Sequence, residues 1–159
     1  MATTPNSLIT PQTANTPIAN VVLSTAMTST KNYDGTDTAG TALGLVYTVG
    51  ANGGQLPKLR LRYGSTNGAA ASGTTNATVA RIFFNNGSAN TTAANNIFVG
   101  EVTIPSTTMT QTAALSQPTD YDFENLVLPA GWKVYVGLAT AVGGTNCAIA
   151  ASMPGGGDF

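Results

Sequence analysis

Residues 122–138 read DFENLVLPAGWKVYVGL, and this segment decides the fold class. It holds two apolar runs, 126–128 and 132–138, on either side of a Pro-Ala-Gly triplet at 129–131. Proline and glycine disfavour helix and suit a tight turn, so we expect a β-hairpin. Alternate residues of the second run are apolar, which predicts a strand with one buried side: Trp132, Val134, Val136 and Leu138. The segment therefore predicts the core of a β domain, with the single tryptophan inside that core.

The composition of the whole chain also favours β structure. Only 8% of the 159 residues are charged, and Thr, Ala, Asn, Gly and Ser dominate, which suits strands and turns better than helices. A hydrophobic fraction of 42% and a net charge of -1 argue against disorder, and the length suits one domain. Because so small a net charge gives little repulsion between copies, it favours a protein that lives in an assembly.

Turn-rich segments divide the chain into about eight short strands. Polar loops rich in Gly, Asn and Thr separate these apolar or alternating segments, which we place at 18–25, 41–49, 58–63, 78–85, 97–104, 126–128, 132–138 and 146–152. The pattern is typical of a single β-sandwich of antiparallel strands, and eight strands suit a jelly roll. We expect residues 1–17 to form an extended Pro/Thr-rich arm, 18–152 the sandwich, and 153–159 a flexible Gly-rich tail.

Alternation within the strands predicts which side chains are buried. The apolar faces are expected to contain Leu43, Leu45, Tyr47 and Val49 in one strand, Ala80, Ile82 and Phe84 in another, and Phe98, Val102 and Ile104 in a third. Arg81 and Glu101 fall on the opposite faces of their strands. There they could pair across adjacent antiparallel strands for about 0.2–1 kcal/mol.

The N-terminal arm carries Pro5, Pro11 and Pro17 among Thr, Asn and Gln. Proline at this spacing blocks both helix and continuous strand pairing, so the arm has few ways to bury itself on its own domain. It is either a frayed terminus or an arm that lies on a neighbouring subunit.

The residue types present exclude several kinds of chemistry. With no histidine, the chain cannot form Ser-His-Asp or Cys-His nucleophile systems or zinc sites that need histidine. Cys147 is the only cysteine and lies in an apolar run, so we expect a buried, inert thiol and no intrachain disulfide. Asp34 and Asp37 supply two carboxylates in one loop, too few for calcium, and no glycine motif lies in a phosphate-binding context. We therefore expect no catalysis, metal or cofactor.

The start of the chain lacks a basic segment followed by an apolar one, and no apolar run approaches membrane-spanning length. We expect synthesis in a cytoplasm and no membrane partner.

Two stripes of like charge stand out. The basic stripe, Lys58, Arg60 and Arg62, alternates with apolar residues, and so does the acidic stripe, Asp120, Asp122 and Glu124. Each stripe projects from one strand face with about 7 Å between neighbours. Like charges repel, so each stripe is either solvated or paired with the other, within or between chains, and we treat both as a candidate interface with Pro5, Pro11 and Pro17.

Two other uses of the stripes have less support. Two carboxylates of the acidic stripe could serve a glycosidase, although a solvated strand edge explains the same pattern. The basic stripe could bind nucleic acid phosphates, but six basic residues against seven acidic ones make no basic field. We expect no nucleic acid partner.

The composition and segment pattern of the chain support a family resemblance. A Pro- and Thr-rich start (MATTPNSLITPQ), short strands joined by Gly/Ala/Thr/Asn loops, and LPAGWKVYVGL near the end resemble small structural proteins of tailed bacteriophages. Within that group the chain is most similar to capsid decoration, or auxiliary head, proteins. The resemblance implies a β-sandwich that assembles, often as a homotrimer, on the outside of the virion, where it binds the major capsid protein. Competing readings are a tail, baseplate or fibre component and a carbohydrate-binding β-sandwich module, which usually presents exposed aromatic rings.

Overall fold

A computed structural model of the chain describes residues 21–27, 33–36, 42–66, 70–112, 115 and 117–159. It is built almost entirely from antiparallel strands, as the sequence predicts. The one helical element in the described part of the chain is a 3-10 turn, Ala93–Asn95. The strands are β1 Val21–Leu23, β2 Leu43–Thr48, β3 Gly54–Ser65, β4 Gly73–Thr74, β5 Thr78–Asn85, β6 Asn96–Ile104, β7 Thr108–Met109, β8 Thr119–Leu128, β9 Lys133–Leu138, β10 Cys147–Ser152 and β11 Gly157–Asp158.

Nine of the strands form a five-stranded sheet 1 and a four-stranded sheet 2. Sheet 1 has the order β1-β10-β3-β8, with β11 continuing the edge of β3 beyond β10, and sheet 2 has the order β2-β9-β5-β6. β4 and β7 form a separate two-stranded ribbon. The antiparallel pairs nest, since β1 pairs with β10, β2 with β9, β3 with β8 and β5 with β6. The first half of the chain is thus paired with the second half in reverse order.

The core lies between the two sheets. Leu59 and Leu61 of β3, Ile82 of β5, Val136 of β9 and Ile149 of β10 belong to one cluster and are at most 1% exposed. The alternation predicted for 58–63 is confirmed, because the leucines point into this cluster and the basic residues point away from it. Burial of such side chains at about 1.5–3 kcal/mol each is the main force that holds the sheets together.

The predicted hairpin at 126–138 is wrong, although both strands exist. β8 pairs with β3 in sheet 1, whereas β9 pairs with β2 and β5 in sheet 2, so the chain crosses between the sheets at 129–131. The turn bonds to the end of β2: Gly131 donates to the Val49 carbonyl at 3.0 Å, and Val49 donates to that of Trp132 at 2.8 Å. Trp132 is partly buried against the core, at its margin.

Two predicted faces are also wrong in part, because β-bulges reverse the alternation. The register of β2 shifts between Leu45 and Tyr47, so that Val46 is buried and Leu45 is 38% exposed. A second shift, opposite Ile82 and Phe83, turns Phe98 away from the core. An extra residue in one strand moves every following side chain to the other face, which an alternating pattern cannot reveal.

The described residues between β1 and β2, Met27 and 33–36, cover part of the outer face of sheet 2. The Met27 amide donates to the Leu138 carbonyl at 2.7 Å, and Met27 packs with Leu43 and Phe83 in a second, smaller apolar cluster. Gly35 presses on the same face, since a Cβ there would lie 2.8 Å from Phe83 Cδ1. Phe83 is consequently fully buried although it points out of the main core.

The C-terminal segment, predicted as a flexible tail, forms β11 along β3. Asp158 Oδ1 accepts hydrogen bonds from the Tyr47 hydroxyl and, at 2.8 Å, from the Gly50 amide. The glycines give the tail a flexible composition, but the pairing with β3, the Asp158 carboxylate and a hydrogen bond from the Phe159 amide to the Gly53 carbonyl at 3.1 Å hold it in place. The predicted arm at 1–17, residues 18–20 of the predicted first strand, and Asp37 lie outside the described residues.

Candidate functional site

The basic and acidic stripes lie side by side on the outer face of sheet 1. β3 and β8 are neighbours, and their register places Lys58 opposite Asp122 and Arg60 opposite Asp120. The alternation that sends the leucines of β3 inward sends its charges outward. We call these six side chains the charged strip.

The middle of the charged strip is paired within one chain. Arg60 binds Asp120 with two hydrogen bonds, Nε to Oδ1 at 2.9 Å and Nη2 to Oδ2 at 2.8 Å, and Lys58 Nζ lies 3.4 Å from Oδ2. The hydrogen bond from Arg60 holds the pKa of Asp120 below its usual value. A glycosidase general acid needs a raised pKa, whereas the pKa of Asp120 is lowered. The arrangement therefore does not favour the hypothesis that these carboxylates catalyse glycoside hydrolysis.

The two ends of the charged strip are exposed and opposite in sign. Arg62 lies opposite Ala150 of β10, and the described residues offer it no ion pair. At the other end are Asp122 and Glu124, for which no cation lies within ion-pair distance in the same part of the chain. Arg62 and Glu124 are about 16 Å apart along the strands. The strip is therefore neutral in sum, with a positive and a negative end.

The negative end has an unusual backbone. Glu124 and Asn125 have φ angles of 57° and 60°, and the register between β3 and β8 shifts at this point. Asp122 Oδ1 accepts the Glu124 amide at 2.7 Å, which supports the left-handed turn. The irregularity limits continued strand pairing along this edge of sheet 1 and sets the acidic end of the strip.

The outer face of sheet 2 carries a second cluster of charged and aromatic side chains. The predicted pair is confirmed, with Arg81 opposite Glu101 and Arg81 Nε 3.1 Å from Glu101 Oε2. Arg81 also donates from Nη2 to the Tyr33 hydroxyl at 3.1 Å, and its Cζ lies 4.3 Å from the centre of the Tyr33 ring. Phe98 meets that ring edge to face at 5.3 Å.

Sequence reasoning missed the place of Tyr33 in this cluster, because its loop is far from β5 and β6 along the chain. The one available signal was an aromatic residue inside an otherwise polar loop.

Two further candidates from the sequence are the single thiol and the carboxylates that could hold a metal ion. Cys147 is buried as predicted, and its Sγ lies 3.5 Å from the carbonyl oxygens of Ser72 and Thr145. Across the described ranges, no group of three His, Cys, Asp or Glu side chains comes together to hold a metal ion. Among the same residues there is no helix long and apolar enough to cross a membrane. Pro5, Pro11 and Pro17 lie outside the described residues.

Comparison of the chain with family models, curated proteins and solved structures finds no match.

Proposed function

We propose that the protein is a non-enzymatic structural component of a phage virion, which decorates and stabilises the capsid by binding its outer surface as an oligomer. The observation that carries the proposal is the charged strip, an exposed and internally neutral surface on a sheet face. Its two ends carry charges of opposite sign that have no ion-pair partner among the described residues. The sequence resemblance to decoration proteins supplies the class of assembly.

The strand pairing supports a jelly roll as the architecture. In a jelly roll an antiparallel ribbon is wound so that the first strand pairs with the last, the second with the next to last, and so on to the middle. The nested pairs described above follow that order. Jelly rolls are common in viral shells, so this architecture is consistent with a virion protein. The same fold serves other functions, and the proposal therefore depends on the charged strip.

The charged strip favours contact between copies. When two strips meet in opposite directions, Arg62 of each copy lies near Asp122 and Glu124 of the other, an arrangement in which one patch serves both partners. A head-to-tail contact uses the same complementarity and closes into a trimer where successive copies are related by a rotation of about 120°. Such charges contribute mainly to orientation and association rate, while burial of the surrounding sheet face supplies the affinity.

Charge reversal at the ends of the strip tests this contact without breaking the Arg60–Asp120 pair. We expect Arg62→Glu to lower the oligomer fraction measured by light scattering after size exclusion, and Glu124→Lys, which leaves the turn-supporting Asp122 in place, to restore it in the same chain. Lys133→Glu changes the net charge equally but lies on β9 of sheet 2, so it serves as the matched control. An unchanged oligomer fraction in Arg62→Glu contradicts the contact.

Copy number in purified particles tests the assignment to the virion. Capsid decoration predicts many copies per particle by quantitative mass analysis, whereas a tail, baseplate or fibre component predicts few. Absence from particles contradicts both assignments.

Deletion of residues 1–17 tests the arm. Since the described core begins at Val21, we expect the shortened domain to fold and to occupy fewer sites on the particle. Full occupancy after the deletion contradicts a role for the arm.

A further inference from the structure

Tyr33 is held in an exposed position by the loop that carries it. Its side chain is 59% exposed, more than any other large hydrophobic residue in the described chain. Asp34 Oδ1 accepts the Thr36 amide at 2.9 Å and the Thr36 hydroxyl at 2.8 Å, which forms a tight turn. The side chain of Asn96 donates from Nδ2 to the carbonyls of Asp34 and Gly35 at 3.2 and 3.0 Å and fixes this turn to β6.

The Tyr33 ring itself is fixed by two neighbours. Arg81 stacks on it at 4.3 Å and binds its hydroxyl at 3.1 Å, while Phe98 contacts it edge to face at 5.3 Å. Phe98 rests in turn on the fully buried Phe83 at 5.8 Å. Because contacts extend from the buried layer to the surface, the exposed aromatic rings are preorganised, and little ordering is needed when a ligand binds.

Polar groups lie beside these rings. The bulge in β6 brings Phe98 and Glu101 to the same face of the strand. Arg81 Nε holds Glu101 Oε2 at 3.1 Å, and the Glu101 side chain remains 44% exposed. Its other oxygen, Oε1, has no hydrogen bond to any described residue. A fixed carboxylate with a free acceptor thus stands next to two partly exposed aromatic rings.

We propose that Tyr33, Phe98 and Glu101 form a binding site for a neutral saccharide. A sugar ring presents an apolar C–H face, which suits an aromatic surface, and hydroxyl groups around its rim, which a carboxylate oxygen accepts. Arg81 and Glu101 cancel in charge, so the cluster offers no net field for an anion. A cation is disfavoured as well, because the Arg81 guanidinium already occupies one face of the Tyr33 ring.

The site is independent of the proposed role in the capsid. It lies on the outer face of sheet 2, whereas the charged strip lies on sheet 1, so either assignment can fail while the other stands.

Binding to a glycan array tests the class of ligand. The full-length protein is applied to neutral hexose and N-acetylhexosamine oligosaccharides beside sialylated and sulfated ones, and the strongest neutral ligand is then titrated by calorimetry. We expect Tyr33→Ala and Glu101→Gln each to weaken binding about tenfold, from loss of the stacked ring and of the charged acceptor. Tyr33→Phe keeps the ring and should stay within about threefold of the wild type.

Val127→Ala is the matched surface control, because Val127 is 53% exposed and belongs to sheet 1. Thermal melts establish that each variant is folded. Protection of Tyr33 from nitration by the bound oligosaccharide, mapped by mass spectrometry on the wild type, gives a readout that needs no variant. No binding on the array, binding of acidic glycans alone, full affinity in Tyr33→Ala, or an unprotected Tyr33 at saturating ligand each overturns the proposal.

Discussion

The hydroxyl of Tyr47 should anchor the C-terminal strand to the sandwich, and Tyr47→Phe removes that one atom. Tyr47 is 8% exposed, and its hydroxyl donates a hydrogen bond to the Asp158 carboxylate. The same carboxylate also accepts a hydrogen bond from the Gly50 amide. A hydrogen bond to a charged group contributes about 1.5–3 kcal/mol. For a chain of this length we expect the melting temperature to fall by about 3–12 °C.

A double-mutant cycle measures whether the two groups act together. Asp158→Asn alone and Tyr47→Phe alone should each destabilise the protein in urea titrations, and the double variant should cost little more than either one. We expect a coupling energy of about 1 kcal/mol or more, whereas additivity within about 0.5 kcal/mol refutes the anchor. Tyr135→Phe is the control, because Tyr135 is half-buried and its hydroxyl has no hydrogen-bond partner in the described part of the chain; its free energy of unfolding should change by less than about 0.5 kcal/mol.

Three further predictions test the packing, the charged strip and the thiol. A Cβ on Gly44 would lie 2.6 Å from both γ carbons of Val21, so Gly44→Ala should lose about 1–3 kcal/mol of stability in urea titrations. Gly64→Ala meets nothing within 4 Å and should stay within about 0.5 kcal/mol. The pKa of Asp120 is lower in the folded state, so its ion pairs stabilise the fold above the unfolded pKa. This contribution to stability is lost as the pH falls below about 4. Asp120→Asn should therefore flatten the acid limb of the stability–pH curve, and an unchanged limb contradicts the pairing. Cys147 is 4% exposed and should react with a thiol reagent only after unfolding, as followed by absorbance.

Local alternation made part of this structure predictable. In the middle of β3, from Lys58 to Arg62, every second residue is charged, so the faces of that segment follow from its period alone. The Arg81–Glu101 pair was predictable for a similar reason, since both residues lie opposite the apolar faces of two strands that follow each other in the chain. The sequence does not show that β3 and β8 are neighbours, because 60 residues separate Arg60 from Asp120. Pairing of the two stripes was therefore only one of several alternatives.

The remaining features depend on contacts that the sequence does not encode locally. Pro129-Ala130-Gly131 forms a turn that can lead into a strand of the same sheet or of the opposite sheet. The strands that pair with β8 and β9 determine which of the two occurs. The bulge beside Phe98 has Val99 as its extra residue, and the following Gly100 was the one sequence signal for it. The position of Tyr33 depends on Arg81, which contacts it across 48 residues of chain.

The two outer faces of the sandwich differ for a structural reason. The connection between β1 and β2 lies on sheet 2, buries Phe83 and brings Tyr33 to Arg81, whereas the outer face of sheet 1 carries the charged strip. The two sheets pack about 10 Å apart, so their outer faces lie farther apart than that, and the two clusters have no described charged residue in common. Substitutions on one face should therefore act additively with those on the other. Arg62→Glu should change the oligomer fraction at constant saccharide affinity, and Tyr33→Ala should do the reverse. If either variant changes both quantities, the saccharide site and the contact between copies are one surface, and the separation of roles between the sheets is wrong.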